Sequence, residues 1–441
     1  MSIQATRGLG DVVLVAGPKV LNGLGTIGMN LLLLRHFGPE QFGVYSLAVA
    51  SILLFDAVLG SAIDMGVLRL APLHRESDSE RARAVERTAI GFKLTLGLSV
   101  AIALLWFAEP LARHFFQSDG HAHLIYISAG ATIAMLLLRS AQVHLQVEGN
   151  FKLYALVDLT HFFLKFGGIA ALLVLGSVSP GLALGLFVLG PASGMALFAL
   201  LRGTSLFRVL PLRRAPLAEL LSCVKWFLLT FCLSSVLARI DLFLLSSWGP
   251  IGEVGILSAA YALALGFELL GTYLAVVYSP KVMPLCRESR FGAFYRRFQS
   301  RLLLACLGLL VGGVVGVSIL GPVLLPPSFE PAGVTFLLLL PGALAAFATF
   351  PLTLAFVMFL RPRFIFALDC LSIPVLLAGY ALVIPRHGAV GAAVVTSAGR
   401  LIKAVMTQIV AWRQTYQLEG PPGEGGFVAA TPESWQIGGA S

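Results

Sequence analysis

Five cations, Lys19, Arg139, Lys165, Arg239 and Arg400, interrupt stretches of this chain that are otherwise apolar. An ionisable side chain at bilayer depth costs about 2.5 to 3.5 kcal/mol on insertion scales, so one that persists faces a partner or a watery cavity. Ammonium and guanidinium groups placed there can hold an anionic headgroup, and an arginine can grip a phosphate through two parallel hydrogen bonds. Six further polar residues, Asn30, Asp56, Asp158, His161, Asp241 and Glu268, are candidates to line the same cavity. The carboxylates among them are the candidates for coupling to a proton or a sodium ion, and the sequence calls for no other cofactor.

The spacing of these residues is helical. Lys19, Asn22, Thr26 and Asn30 follow one another at steps of three, four and four, which places them on one face of a helix. Tyr154, Asp158, His161 and Lys165 form a second stripe, and Thr396, Arg400, Lys403 and Thr407 a third, while Arg139, Gln142 and Gln146 share a further face. Asp64 lies eight residues from Asp56 with Gly60 between them on that face, and Arg69 is its alternative partner near the membrane surface. Lys93, Lys225 and Lys403 stand close enough to helix ends to snorkel. The competing reading of the deep charges is structural: each carboxylate holds a cation of its own half.

The elements that must position these residues are membrane helices. Charged residues make up 12% of the chain and the mean hydropathy is +0.88, against about 25% charged residues in an ordinary soluble domain. Twelve apolar runs, each near the ~20 residues that cross a hydrocarbon core, predict an all-α polytopic protein. They are 12–37, 42–67, 88–107, 124–147, 153–175, 182–201, 226–248, 254–278, 302–325, 334–360, 364–384 and 389–412. With the N-terminus inside, the inner segments hold 20 Lys and Arg and the outer ones three, Arg35, Arg113 and Arg386, so the expected topology is N-in and C-in. The formal charge of +9 is mostly this bias and does not point to nucleic acid.

The chain also repeats itself. RLAPLHRES at 69–77 returns as KVMPLCRES at 281–289, an offset of 212, and NLLLLRHFGP ending at Pro39 matches DLFLLSSWGP ending at Pro250. The register continues through Gly43 and Gly255, and pairs Asp56 with Glu268 and Asn30 with Asp241; Lys152 and Asp158 fall opposite Arg363 and Asp369. Six helices per copy imply two pseudo-symmetric lobes, related by an axis along the membrane normal, with the substrate path between them. The expected division is a first lobe over 1–205, a cytoplasmic linker over 206–222, a second lobe over 223–413 and a disordered cytoplasmic tail over 414–441.

Other patterns carry less. GLGTIG at 23–28 fits a dinucleotide fingerprint but lies inside a spanning helix with no preceding strand, which leaves a chance match or a close helix contact. His114, Asp119, His121 and His123 lack the ligand spacing of a zinc site. The prolines of helix ten, Pro341 and Pro351, are the best hinge candidates. No nucleophile with a base and an orienting group is recognisable, which argues against a membrane-embedded polymerase or ligase.

At GPEQFGVYSLAVA (38–50) and ARIDLFLLSSWGPIGEVGILSAAYALAL (238–265), the chain resembles the polysaccharide-biosynthesis flippases, the Wzx-like branch of the multidrug/oligosaccharidyl-lipid/polysaccharide (MOP) exporter superfamily. The resemblance covers residues 1 to about 413. It implies transfer of a polyprenyl-diphosphate-linked oligosaccharide between the leaflets of a bacterial inner membrane, for a surface polysaccharide such as a lipopolysaccharide O-antigen. Polymerase and glycosyltransferase partners of the same pathway are implied with it. Arg239 and Asp241 look like the charged signature of that family, whereas Leu257 stands where tyrosine is typical and Tyr261 follows one turn later. A multidrug or organic-cation exporter of the same superfamily is the alternative, and the deep cations weigh against it because they repel a cationic drug.

Overall fold

The computed structural model describes residues 2–75, 78–207, 214–287, 291–355 and 362–418. Among them there is no strand, and ten segments are long and apolar enough to cross a membrane by length and composition. Two of the twelve expected spans are absent from that ten. The first is α1 (Ser2–His36); the other arises because one segment of 46 residues, Ile365–Val410, holds two helices. Gly388 divides them into α11 (362–387) and α12 (389–418) by taking φ 51°, which glycine adopts without a Cβ penalty. Beside it the Glu253 carboxylate accepts from the Ala389 N–H at 2.8 Å, satisfying a free donor at the start of α12 with charge of the sign its dipole favours.

The other helices are α2 (Pro39–Arg75), α3 (Ser79–Trp106), α4 (Ala122–Glu148), α5 (Phe151–Val174), α6 (Pro180–Arg202), α7 (Arg214–Leu237, resuming as Ile240–Trp248), α8 (Ile251–Arg287), α9 (Phe291–Leu324) and α10 (Glu330–Ala355). Their starts follow local rules. Pro39 and Pro180 occupy first-turn positions, Asp78 accepts from the Glu80 and Arg81 N–H groups at 3.0 Å, and Gly149 closes α4 at φ 70°.

Two boundaries differ from the sequence reading. Helix α7 begins at Arg214, inside the stretch expected as linker, because Glu219 is tied to His74 of α2 at 2.7 Å and to Arg81 of α3 at 3.0 Å. Helix α12 continues to Leu418, past the expected start of the tail, and 419–441 lie outside the described residues. The backbone departures lie in α2, as a π turn over Ala57–Ser61, and in α7, where Ala238–Arg239 interrupts the helix; α10 stays helical through both prolines.

The two copies meet at the outer ends of α2 and α8, and the contact is self-complementary. A Cβ on Gly43 would strike the Ile251 carbonyl oxygen and stand 3.0 Å from the Gly255 nitrogen. A Cβ on Gly255 would strike the Pro39 carbonyl oxygen and stand 2.8 Å from its carbon. Gly43 and Gly255, and likewise Pro39 and Ile251, are 212 positions apart, so each copy offers the other the same surface. One buried core runs through this seam, joining Phe42, Tyr45, Ala48 and Ile52 to Val254, Leu257, Ala260, Leu340 and Ala393. Arg35 adds a hydrogen bond to the Val323 carbonyl at 2.7 Å, and Gln117 reaches across to the Ser246 and Gly249 carbonyls at 2.9 and 2.6 Å. On the side expected to be outer, the two copies meet by backbone contact.

Candidate functional site

Below that contact, the first copy gathers its charges from α1 to α5. The Asp56 carboxylate, at the end of the regular part of α2, takes the Arg139 Nε of α4 at 2.8 Å. One turn past the π segment, Asp64 is held by Lys93 of α3 at 2.5 Å. That overturns two expectations, since Lys93 is 2% exposed and does not snorkel, and Asp64 pairs with it and not with Arg69, whose guanidinium lies over the Phe227 ring at 4.4 Å. A buried ammonium needs a carboxylate more than it needs the interface. Asp158 of α5 accepts from Gln142 at 2.9 Å and from Asn22 at 3.3 Å, and Lys19 lies near enough to feel the charges of Asp158 and Arg139. His161 and Lys165, one and two turns further along α5, are buried; Lys165 sits over the rings of Phe166 at 4.3 Å and Phe187 at 5.0 Å.

The second copy builds its network from α7, α8, α11 and α12. Buried Asp241 accepts from the Leu242 N–H at 2.8 Å, from Thr396 at 3.0 Å and from the Tyr261 hydroxyl. Tyr380 hydrogen-bonds Thr396 at 2.9 Å. Arg400 meets Glu268 at 2.7 Å and stands 5.9 Å from the Tyr261 ring. Asp369 is bound by Ser234 and by Lys403, so Lys403, like Lys93, is engaged within the bundle; Lys225 is exposed. Arg239 is half-buried at the break in α7, and among the described residues its guanidinium has no ion pair. Asn30, the counterpart of Asp241, is half-buried on α1.

The duplication extends to side-chain chemistry. Asn22 and Ser234 are 212 apart, Asp158 and Asp369 are 211 apart, and each first-helix residue donates to the fifth-helix aspartate of its own copy. Sequence reasoning paired the aspartates and missed Ser234, because the 211 offset of the neighbouring motif sets Asn22 opposite Leu233, one residue short of it. Asp56 and Glu268 each hold an arginine of their own half, but from different places: Arg139 comes from the fourth helix of its copy and Arg400 from the sixth. Both guanidiniums are surrounded by protein, while their side chains as a whole keep accessible surface, 41% for Arg139 and 24% for Arg400, as side chains on a cavity wall do. Tyr261, read as a displaced family tyrosine, is a ligand of Asp241. At Gly25 the GLGTIG segment makes a close helix contact, with a Cβ there 2.5 Å from the Phe162 ring.

This fold is similar to that of solved transporters of the MOP superfamily. The chain superposes on an inward-facing multidrug resistance MATE family transporter of the MOP superfamily with a TM-score of 0.69 at 13% identity, covering 92% of this chain and 98% of that one. It superposes on the lipid II flippase MurJ in an inward closed conformation with a TM-score of 0.68 at 12% identity, covering 92% and 90%. A MOP superfamily transporter from Pyrococcus furiosus, described as having a binding pocket of reverse polarity, gives 0.63 at 14% identity, covering 93% and 96%. No curated protein matches the sequence. The family model described as polysaccharide biosynthesis protein matches residues 12–280, and the chain belongs to that family. It is a multi-pass membrane protein.

Proposed function

We propose that the protein flips a polyprenyl-diphosphate-linked oligosaccharide from the inner to the outer leaflet of a bacterial cytoplasmic membrane, by alternating access between its two copies. The observation that carries this reading is the pair of accessible arginines, Arg139 and Arg400, each held by a single carboxylate within a bundle that also contains Lys19, Lys165 and Arg239. A diphosphate competes with Asp56 and Glu268 for those guanidiniums, in a medium where such a contact is worth far more than in water. Family membership in polysaccharide biosynthesis and the likeness of fold to a lipid flippase support the same class of cargo.

The multidrug alternative needs a carboxylate free to meet a cationic drug. Asp56, Asp64, Asp158, Asp241, Glu268 and Asp369 are each already held by a cation or by hydrogen-bond donors. The deciding assay reconstitutes the protein in proteoliposomes and follows a polyprenyl-diphosphate-oligosaccharide through a sugar-binding probe added outside. Flipping is expected from wild type and is lost on substituting Arg139→Ala together with Arg400→Ala, while membrane insertion persists. Export of an organic cation without movement of the glycolipid would overturn the proposal.

A further inference from the structure

Asp56 has an oxygen that its pair with Arg139 leaves unused. The side chain is 2% exposed; Oδ2 takes Arg139, and Oδ1 has neither a hydrogen-bond partner nor contact with solvent. Such an atom is costly, because a buried acceptor without a donor keeps its full desolvation penalty. Oδ1 faces bare backbone inside the π turn. A Cβ on Gly60 would stand 3.8 Å from Asp56 Oδ1, 3.7 Å from Asp64 Oδ2 and 3.4 Å from the Leu136 side chain. The two carboxylates therefore look into one gap about the size of a methyl group, closed by a leucine, which suits a proton and leaves no room for a hydrated cation.

We infer that Asp56 is a proton-uptake site, filled when an anionic cargo draws Arg139 away. This rests on the cargo reading above. In the resting arrangement Arg139 neutralises Asp56, and Lys93 neutralises Asp64. When a phosphate oxygen takes the guanidinium, which stays protonated, the Oδ2 contact breaks and a buried carboxylate is left without its counter-ion. One proton from solvent then binds Oδ1, in the gap it shares with Asp64 Oδ2, and the cluster gains a neutral acid in place of an ion pair. The charges around this event are few. Asp64 faces Asp56 from its own helix, Lys93 from α3 and Arg139 from α4; from α7 the packed titratable group is Cys232, whose thiol donates to the Val58 carbonyl at 3.8 Å. Lys19, Tyr154 and Asp158 act on Arg139.

The test uses full-length protein in detergent with geranylgeranyl diphosphate as probe. Between about pH 7.5 and about pH 8.5 a terminal phosphate is already ionised, so its own titration is largely avoided. Wild-type affinity should fall about tenfold over that unit, the signature of one proton taken up on binding. Asp56→Asn should remove the slope and bind at least as tightly at the alkaline end, since Arg139 no longer has a carboxylate to leave; a merely structural role predicts weaker binding instead. Difference infrared spectra should show a protonated-carboxyl C=O band growing with probe in wild type and absent from Asp56→Asn. In Arg139→Gln, which keeps the measurement possible should Asp56→Asn not fold, the band should be present before any probe is added. A flat wild-type profile, a slope retained in Asp56→Asn, or a sodium dependence replacing the pH dependence overturns the proton site and leaves the cargo reading standing. Failure of wild type to bind the diphosphate at all overturns the cargo reading, and this inference falls with it.

Discussion

Substituting Gly255→Ala should open the outer face. The added Cβ would stand 2.8 Å from the Pro39 carbonyl carbon and 3.1 Å from its Cα, with the carbonyl oxygen nearer still. Carbon atoms pack best at about 3.5 to 4.0 Å, so α2 and α8 must part by roughly 1 Å at this point. The obstacle is backbone, which cannot rotate aside as a side chain can. Overpacking of this kind costs about 1 to 3 kcal/mol, and here the cost falls only on the state in which the outer ends touch. A penalty of that size shifts a closed-to-open equilibrium by about 5- to 150-fold. Ser258, buried on α8 one turn inside the seal, reports the change. After replacement of the native cysteines, Ser258→Cys should react slowly with a membrane-impermeant thiol reagent added outside, and faster by that factor when Gly255→Ala is present. Because the contact is self-complementary, Gly43→Ala should act in the same direction. Unchanged labelling in both variants, with the protein still folded by thermal melting, would refute the seal; a response from only one of them would refute its symmetry.

Lys93→Met alone should lower stability by about 3 to 5 kcal/mol, since it strands the buried Asp64 carboxylate, whereas Lys93→Met combined with Asp64→Leu should recover most of the loss; melting temperatures of the three proteins in detergent check this. Asp369→Asn should release both Ser234 and Lys403, and cysteine pairs across α7 and α11 should then cross-link over a wider range of spacer lengths. Arg83→Cys should be labelled only after the membrane is permeabilised, and Arg113→Cys in intact cells; the reverse pattern would invert the topology drawn from the cation bias. Lysine at Arg139 or Arg400 should restore flipping only in part, because an ammonium cannot form the bidentate contact of a guanidinium with phosphate.

Much of this protein is legible one residue at a time. A bilayer demands about 20 apolar residues per crossing and satisfies no stray backbone group, so composition and run length alone predict twelve helices. The duplication is legible as well, because an offset of 211 to 212 survives in motifs such as GPEQFG and GPIGEVG, and it marks Gly43 with Gly255 and Asp158 with Asp369 as equivalent positions. Helix periodicity places Asn22, Asp158 and Arg400 on polar faces. Tertiary structure alone decided which faces meet. Nothing local says that Lys93 turns inward to Asp64, that Arg139 reaches α2, or that Arg400 approaches Glu268 from α12 while its counterpart pair is built from a different helix. The break at Ala238–Arg239 and the π turn after Asp56 have no proline to announce them. The physical reason is common to all of these: the free energy of a buried charge depends on the nearest opposite charge in space, and helices distant in sequence supply it.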